Sequence, residues 1–170
     1  MNDVLARWNR LSAEEAAGEI LSCCGSAAWG RELAARRPFD DESSLTKASD
    51  EIWRRLEKRD WMEAFSKHPR IGERKAPQAV STQSAAWSAQ EQQSVATAAE
   101  TVQSELAEAN REYERRFGRV FILCATGKSA PETLEILRRR LHNDDATEMN
   151  EAAEEQLKIT NVRLKKWLHS

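Results

Sequence analysis

The sequence predicts an all-α fold, a single-domain helical bundle of about seven to nine helices with one short buried extended segment. Apolar residues recur at intervals of three and four, which is the period of an amphipathic helix. Glycines and prolines are few, six and four in 170 residues, and they lie between these periodic segments. A serine followed three residues later by glutamate, the capping-box pattern, marks several predicted helix starts. This length fits one domain, residues 1–170, with a substantial core.

In the first half of the chain, most predicted helices stop at a glycine or a proline. Ser12 and Glu15 form a capping box that follows an amphipathic N-terminal stretch. Asp60 is expected to cap a short helix that stops at Pro69. The predicted helices run from Ser12 to about Cys24, from Ser26 to before Pro38, from Leu45 to Lys58, and from Asp60 to His68.

The second half of the chain combines long helices with an apolar extended segment. Residues from Ile71 to about Trp87 are rich in small polar residues and predict a long loop, and loops of that length are often functional. The longest helix is predicted from Ser88 to about Arg116. The run Val120–Ala125 is β-branched and aromatic, which predicts a buried extended segment between helices. The last two helices are predicted from the capping box Ser129–Glu132 to Asn143, and from about Asp145 to Leu168.

Charge and hydropathy exclude several classes of protein. The formal net charge is −2 with acids and bases interspersed, whereas a nucleic-acid surface needs a clustered basic excess. The one basic cluster, Arg138–Arg140, fits a solvated helix face. The longest strongly apolar run, Val120–Ala125, is far shorter than the roughly 20 residues that cross a bilayer. Neither end of the chain matches a signal peptide or a peroxisomal address.

The cysteines and histidines do not form a metal-binding pattern. Cys23 and Cys24 are adjacent and Cys124 is distant, which suits small buried residues in a reducing cytosol. The three histidines do not have the spacing of metal ligands. We therefore expect a cytoplasmic protein that binds no metal, no nucleic acid and no membrane.

A histidine at a predicted helix end is the first candidate catalytic group. Pro69 disfavours the helical conformation at His68, which fixes this histidine just beyond the helix. The negative end of the helix dipole favours a protonated imidazole there. A histidine held at the mouth of a long loop can act as an acid or base near neutral pH. The alternative is a helix C-cap followed by a proline stop.

Two further polar features each allow a structural and a functional interpretation. Ser88 and Glu91 fit a capping box at a helix start, where free N–H groups also suit an anionic substrate. Arg163 lies four residues from both Ile159 and Trp167, so its helix face is apolar. This arginine can extend along apolar neighbours, or it can present its planar fork to a substrate.

Taken in order over nearly the whole chain, these segments resemble the family of decarboxylases that act on 2-oxo-4-hydroxy-4-carboxy-5-ureidoimidazoline (OHCU). The most specific stretch includes His68-Pro69-Arg70-Ile71-Gly72-Glu73, while the loop from Lys75 to Trp87 matches no motif. The other segments that carry the resemblance are Cys23-Cys24-Gly25-Ser26 with Trp29 and Arg37-Pro38-Phe39, Asp60-Trp61 with Ala64-Phe65, Ser88 with Glu91-Gln92, Phe117-Gly118 with Phe121-Ile122, and Arg140-Leu141 with Asn143, Glu148, Ala152, Glu155, Lys158-Ile159 and Arg163-Leu164.

The resemblance implies an all-helical homodimer that converts OHCU to (S)-allantoin in urate degradation by acid–base catalysis, without a cofactor. It implies that His68 is the catalytic histidine and that Glu91 is its carboxylate partner. It also implies a set of substrate-binding positions, with Ile122 acting partly through backbone groups: Pro69, Ser88, Gln92, Ile122 and Arg163.

Two other functions stay open at the level of the residues. A helical protein–protein interaction module without catalysis is supported above all by the capping-box pattern of Ser88 and Glu91. A helical nucleic-acid binder is disfavoured by the balanced charge. Convergence of His68, Glu91 and Arg163 in one cavity would favour the enzyme, because helix caps need not converge.

Overall fold

The computed structural model describes residues 2–72, 81–96 and 98–170, and every regular element in these ranges is a helix. This confirms the predicted all-α fold class. Ten helices lie in the described ranges, one of them a single turn of four residues: α1 (Asp3–Arg10), α2 (Ala13–Ile20), α3 (Ala27–Ala35), α4 (Glu42–Arg55), α5 (Lys58–Ser66), α6 (Thr82–Glu91), α7 (Gln93–Ala96), α8 (Glu100–Phe117), α9 (Ala130–Arg140) and α10 (Asp145–Leu168).

The chain divides into two compact units, Met1–Ala64 with Leu157–Ser170, and Phe65–Gln156. We call them the terminal unit and the central unit. Two helices contribute to both, because the boundary between the units falls within α5 and within α10. The assignment of residues 1–170 to one domain stays a prediction.

Side-chain caps fix the helix starts of the terminal unit. Ser12 and Glu15 form the predicted capping box of α2, and Ser26 caps α3 by accepting from the backbone N–H of Trp29. Asp60, the predicted cap of α5, instead lies inside the first turn of that helix, where its carboxylate faces the positive end of the dipole. α5 therefore starts two residues earlier than predicted, at Lys58, and ends two residues earlier, at Ser66.

Tryptophans form much of the core of the terminal unit. Trp8, Trp29 and Trp53 are each at most 2% exposed. The indole of Trp8 donates to the carbonyl of Ala16 at 3.0 Å, and that of Trp29 donates to the hydroxyl of Ser49 at 3.1 Å. These rings bury a large apolar area while their N–H groups remain hydrogen-bonded, which is the condition for burying a tryptophan at low cost.

In the central unit, α8 packs its buried face around the predicted extended segment. Tyr113 of α8 lies edge-to-face against Phe121, with ring centroids 5.2 Å apart. Gly118 ends α8 in a left-handed conformation, with φ of 67°. Residues 120–125 then run without helix or strand, and those from Phe121 to Ala125 are all buried. The prediction of a buried extended segment is confirmed.

The predicted helix from Ser88 to Arg116 is wrong. The chain there forms α6, α7 and α8, so Ser88 lies inside α6, whose N-cap is Ser81. Serine is a favourable N-cap residue, so either Ser81 or Ser88 could begin a helix. A helix that begins after Ser81 includes Trp87 and buries its side chain, which is 7% exposed. The longest helix within the described ranges is α10, with 24 residues.

The predicted loop from Ile71 to Trp87 is therefore shorter than expected. Ile71 and Gly72 form a turn, and residues 82–87 belong to α6. The remainder of the predicted loop, residues 73–80, lies outside the described residues.

The basic cluster Arg138–Arg140 is only partly a solvated face, contrary to expectation. The side chains of Arg138 and Arg139 are each 58% exposed, but that of Arg140 is 1% exposed. The exposure differs because consecutive residues on a helix point in directions about 100° apart. Arg140 therefore belongs to the interior of the central unit.

Candidate active site

His68 lies just beyond the end of α5 in the central unit, as predicted. Its backbone N–H donates to the carbonyl of Phe65 at 3.1 Å, which continues the last turn of the helix. Pro69 is buried, and the half-buried imidazole of His68 extends from this turn. The helix end and the proline thus hold the ring at a defined position.

The ring of His68 contacts a residue that sequence analysis did not select. Its Nε2 lies 2.6 Å from Oε1 of Gln156, a fully buried residue of α10. One signal pointed to Gln156, because it lies four residues after Ala152 and three before Ile159, on the buried face of α10. A polar residue at such a position needs a buried hydrogen-bonding partner.

The end of α6 lies against the turn that follows His68. Gln92 is the C-cap of α6, and its Oε1 accepts a hydrogen bond from the backbone N–H of Gly72 at 3.1 Å. Asn110 of α8 donates to the carbonyl of Ile71 at 2.8 Å. Gly72 has φ of 94°, a backbone conformation that residues other than glycine rarely adopt. The structure therefore brings Gln92 together with the histidine segment, and Asn110 is a second supporting residue that sequence analysis missed.

Ser88 and Glu91 lie near the C-terminal end of α6, so their assignment to a helix start is wrong. Ser88 is 5% exposed, and its carbonyl accepts from the backbone N–H of Gln92 at 3.2 Å. The half-buried Glu91 is the last residue of α6. A helix N-terminus that would bind an anion at Ser88 is therefore ruled out, and so is the capping box that favoured an interaction module.

Glu91 acts electrostatically on the extended segment. Burial raises the pKa of the Cys124 thiol above its ordinary value, and the charges of Glu155 and Glu91 raise this pKa further. A hydrogen bond with the Thr126 backbone and the charge of Lys128 oppose that rise. Glu155 also accepts from the backbone N–H of Cys124 at 3.2 Å, which attaches α10 to this part of the segment.

Ile122 is 1% exposed, and a buried ion pair holds its backbone. Nη1 of Arg140 donates to the Ile122 carbonyl at 2.6 Å, while Nε of Arg140 lies 2.9 Å from Oε1 of Glu148. The Tyr113 hydroxyl donates to the same carboxylate at 2.6 Å. Burial, followed by the hydrogen bond to Glu148, raises the pKa of the Tyr113 phenol. Arg140 thus binds the backbone of a predicted substrate-binding position, and the Glu148 carboxylate, which Tyr113 also contacts, holds Arg140 in place.

Arg163 belongs to the terminal unit, where it is 3% exposed on α10. Ile159 and Trp167, four residues before and after it, are 4% and 6% exposed, which confirms that this helix face is buried. Burial raises the pKa of the Cys24 thiol to about 11, and the charge of Arg163 opposes that rise. The Cys24 thiol therefore stays neutral and does not act as a counter-ion for the guanidinium.

The described residues contain no cluster of three histidine, cysteine or acidic side chains arranged to hold a metal ion. Within the same ranges, no helix combines the length and the apolar character needed to cross a bilayer.

Comparison with known proteins identifies a family of decarboxylases. A family model described as OHCU decarboxylase matches residues 9–165. The uric acid degradation bifunctional protein TTL of Arabidopsis thaliana is 36% identical over 145 residues, which cover 85% of this chain and 44% of that protein. The uric acid degradation bifunctional protein PucL of Bacillus subtilis is 28% identical over 160 residues, covering 92% and 31% respectively. The chain thus spans less than half the length of these curated relatives.

Solved structures agree with this family and with the fold. A crystal structure of OHCU decarboxylase in the presence of (S)-allantoin superposes with a TM-score of 0.76 at 32% sequence identity, covering 89% of this chain and 98% of that one. A crystal structure of (S)-allantoin synthase has a TM-score of 0.69 at 18% identity, covering 96% and 53%, and supports the fold alone. From its match over residues 9–165, this chain belongs to the OHCU decarboxylase family.

Proposed function

We propose that this chain decarboxylates OHCU to (S)-allantoin in urate degradation, by acid–base catalysis without a cofactor. The observation that carries the proposal is the family match over residues 9–165. The placement of His68 beside Gln156, and of Gln92 beside Gly72, supports it from the geometry of the central unit.

The chemistry of OHCU explains why side chains suffice. Its carboxylate is attached to a carbon next to a C=N bond. When the bond to the carboxylate breaks and carbon dioxide leaves, the electron pair forms a C=C bond, the imine nitrogen takes up a proton, and an enol results. The enol hydroxyl then loses a proton to become the ring carbonyl, and the ureido-bearing carbon gains one. A hydrogen bond or a proton at the imine nitrogen stabilises the charge that develops in the transition state.

Within this reaction, we assign the proton transfers to His68 and its carboxylate partner Glu91. An imidazole titrates near neutral pH, so it can both accept and return a proton during one turnover. A proton delivered from one fixed side chain reaches a single face of the enol, which gives one enantiomer.

The remaining polar and apolar groups are assigned to substrate binding. The amide of Gln92 and the hydroxyl of Ser88 suit the ureido and ring polar atoms. Pro69 and Ile122 are assigned to the lining of the substrate pocket, Ile122 partly through its backbone groups. Arg163 is proposed as a binding residue on the family resemblance, in contact with the ring carbonyl or ureido group. Tight binding of the departing carboxylate would stabilise the ground state and slow the reaction.

The proposal extends to assembly and location. A homodimer follows from the family resemblance, and sedimentation velocity tests it. A cytoplasmic location is consistent with three buried free cysteines, since disulfides are rare in that compartment.

Turnover of freshly generated OHCU tests the proposed activity. We expect the purified chain to accelerate both the loss of the OHCU absorbance and the release of carbon dioxide. Release of one mole of carbon dioxide for each mole of OHCU consumed would identify the reaction as a decarboxylation. A rate equal to that of the uncatalysed reaction would contradict the proposal.

A further inference from the structure

The contact between His68 and Gln156 determines more than the position of the ring. Nε2 of His68 lies 2.6 Å from the amide oxygen of Gln156. An amide oxygen can only accept a hydrogen bond, so the facing ring nitrogen must carry the hydrogen. Which nitrogen of a neutral histidine is protonated is set by the hydrogen bond that one of them makes. With the hydrogen on Nε2, the basic nitrogen of the neutral ring is Nδ1.

Gln156 is well suited to hold a ring in one orientation. It is fully buried near the middle of α10, the longest helix of the described residues. The preceding residue, Glu155, accepts from the backbone N–H of Cys124 at 3.2 Å, which attaches the same turn of α10 to the extended segment. A buried side chain on a rigid helix keeps few rotamers, so its amide stays aligned with the ring.

The Gln156 side chain carries no charge, and this affects how easily His68 gains and loses a proton. A carboxylate at this position would favour the imidazolium and oppose the return of the proton. An amide fixes the tautomer through a hydrogen bond but adds no net charge. His68 can therefore change its protonation state at Nδ1 while Nε2 stays bound to Gln156.

We propose that Gln156 is the positioning residue that selects the Nε2-protonated tautomer of His68, so that the proton exchanged during catalysis is carried on Nδ1. The effect on turnover rests on the proposed function, but the tautomer is a property of the protein alone. A Gln156 amide turned by 180° would present its NH₂ group to the ring and require the opposite tautomer. The two arrangements differ in which ring nitrogen of His68 carries the hydrogen, and this can be measured.

Nitrogen NMR of histidine-labelled protein measures this quantity directly. The chain has three histidines, and the His68→Asn variant identifies the signals of His68 by their disappearance. Spectra are recorded at alkaline pH, where the imidazoles are neutral. We expect Nε2 of His68 to show the shift of a protonated ring nitrogen and Nδ1 that of an unprotonated one. The reverse assignment, or an averaged shift at both nitrogens, would overturn the proposal.

Two substitutions at Gln156 distinguish the effect of its hydrogen bond from the effect of its packing. Gln156→Met keeps a similar volume but removes the acceptor, so the His68 shifts should move toward the averaged values of a free histidine. Gln156→Glu keeps an oxygen acceptor and should retain the Nε2-protonated signature once the ring is neutral. Gln83→Leu, at an exposed position of α6, is the control and should leave the His68 signals unchanged. Unchanged signals in Gln156→Met would contradict the assignment, as would loss of the signature in Gln156→Glu.

Kinetics then connects the tautomer to turnover. Mutating a group that orients a metal-bound histidine typically costs about ten- to a hundredfold in activity. We expect Gln156→Met, which removes the group that orients His68, to lower kcat by a similar factor with little change in KM. A shifted tautomer with unchanged kcat would remove Gln156 from the reaction. A wild-type chain with the expected tautomer but no turnover of OHCU would instead count against the proposed function.

Discussion

At the scale of single residues, the proposed activity depends first on His68. Replacing His68 with alanine or asparagine should lower kcat/KM by a factor on the order of 10² to 10⁴, the usual contribution of general acid–base catalysis. The exposed His142 provides a matched control, and His142→Ala should keep wild-type kinetics. Circular dichroism in the far ultraviolet checks that both variants stay helical. A His68→Asn variant with near-wild-type kcat/KM would remove His68 from the mechanism.

The assignment of Arg163 is tested by a substitution that keeps its charge. Lysine cannot reproduce the planar, five-donor geometry of a guanidinium. Loss of one charge-assisted hydrogen bond would cost roughly 1.5–3 kcal/mol, or about ten- to a hundredfold in kcat/KM. Steady-state kinetics of Arg163→Lys measures this loss, with the exposed Arg115→Lys as control. If Arg163→Lys has wild-type kcat and KM, Arg163 has no part in substrate binding.

At the scale of helices, the sequence predicted the ends that a local signal marks. Ser12, Ser26 and Ser129 begin their helices as expected, and α10 has the predicted bounds. The start of α6 was missed because two serines seven residues apart can each cap a helix. The choice between them depends on burial of Trp87, which is a property of packing and not of the local sequence.

The start of α6 can be tested by stability. Ser81 accepts from the backbone N–H of Ser84 at 3.0 Å, and removing an N-cap side chain costs about 1 kcal/mol. We expect Ser81→Ala to lower the free energy of unfolding in urea by about this amount. Ser104, exposed within α8, is the matched control, because Ser104→Ala removes no cap and replaces serine by a better helix former. Equal stability of Ser81→Ala and wild type would place the helix start elsewhere.

In the candidate site too, the sequence predicted the residues that have a local signal and missed those that depend on distant partners. His68 and Gln92 could be selected from the sequence because a proline and a family motif mark them. Gln156 and Asn110 could not, since their partners lie 88 and 39 residues away along the chain. A helical pattern shows that a polar residue faces the core, but it does not show which group the residue meets there.

At the scale of the whole molecule, the neighbouring arginines 139 and 140 should differ strongly in their effect on stability. Arg140 pairs with the fully buried Glu148, whereas Arg139 pairs with Glu151 at the surface. Removing one partner of a buried pair leaves an uncompensated charge and costs about 3–5 kcal/mol, while an exposed pair contributes about 0–1 kcal/mol. Urea unfolding of Arg140→Met and Arg139→Met measures both values. Equal losses in the two variants would contradict the buried pair and the support it gives to Ile122.

The most direct test of the central claim, acid–base decarboxylation at His68, follows the handedness of the product. Fresh OHCU is added to the wild-type chain and to His68→Asn, and the allantoin formed is followed by circular dichroism. For the wild-type chain, we expect rapid appearance of the (S) enantiomer alone, because one fixed side chain delivers the proton. For His68→Asn we expect slow formation of racemic allantoin. Racemic product from the wild-type chain, or rapid formation of (S)-allantoin by His68→Asn, would rule out acid–base catalysis by His68.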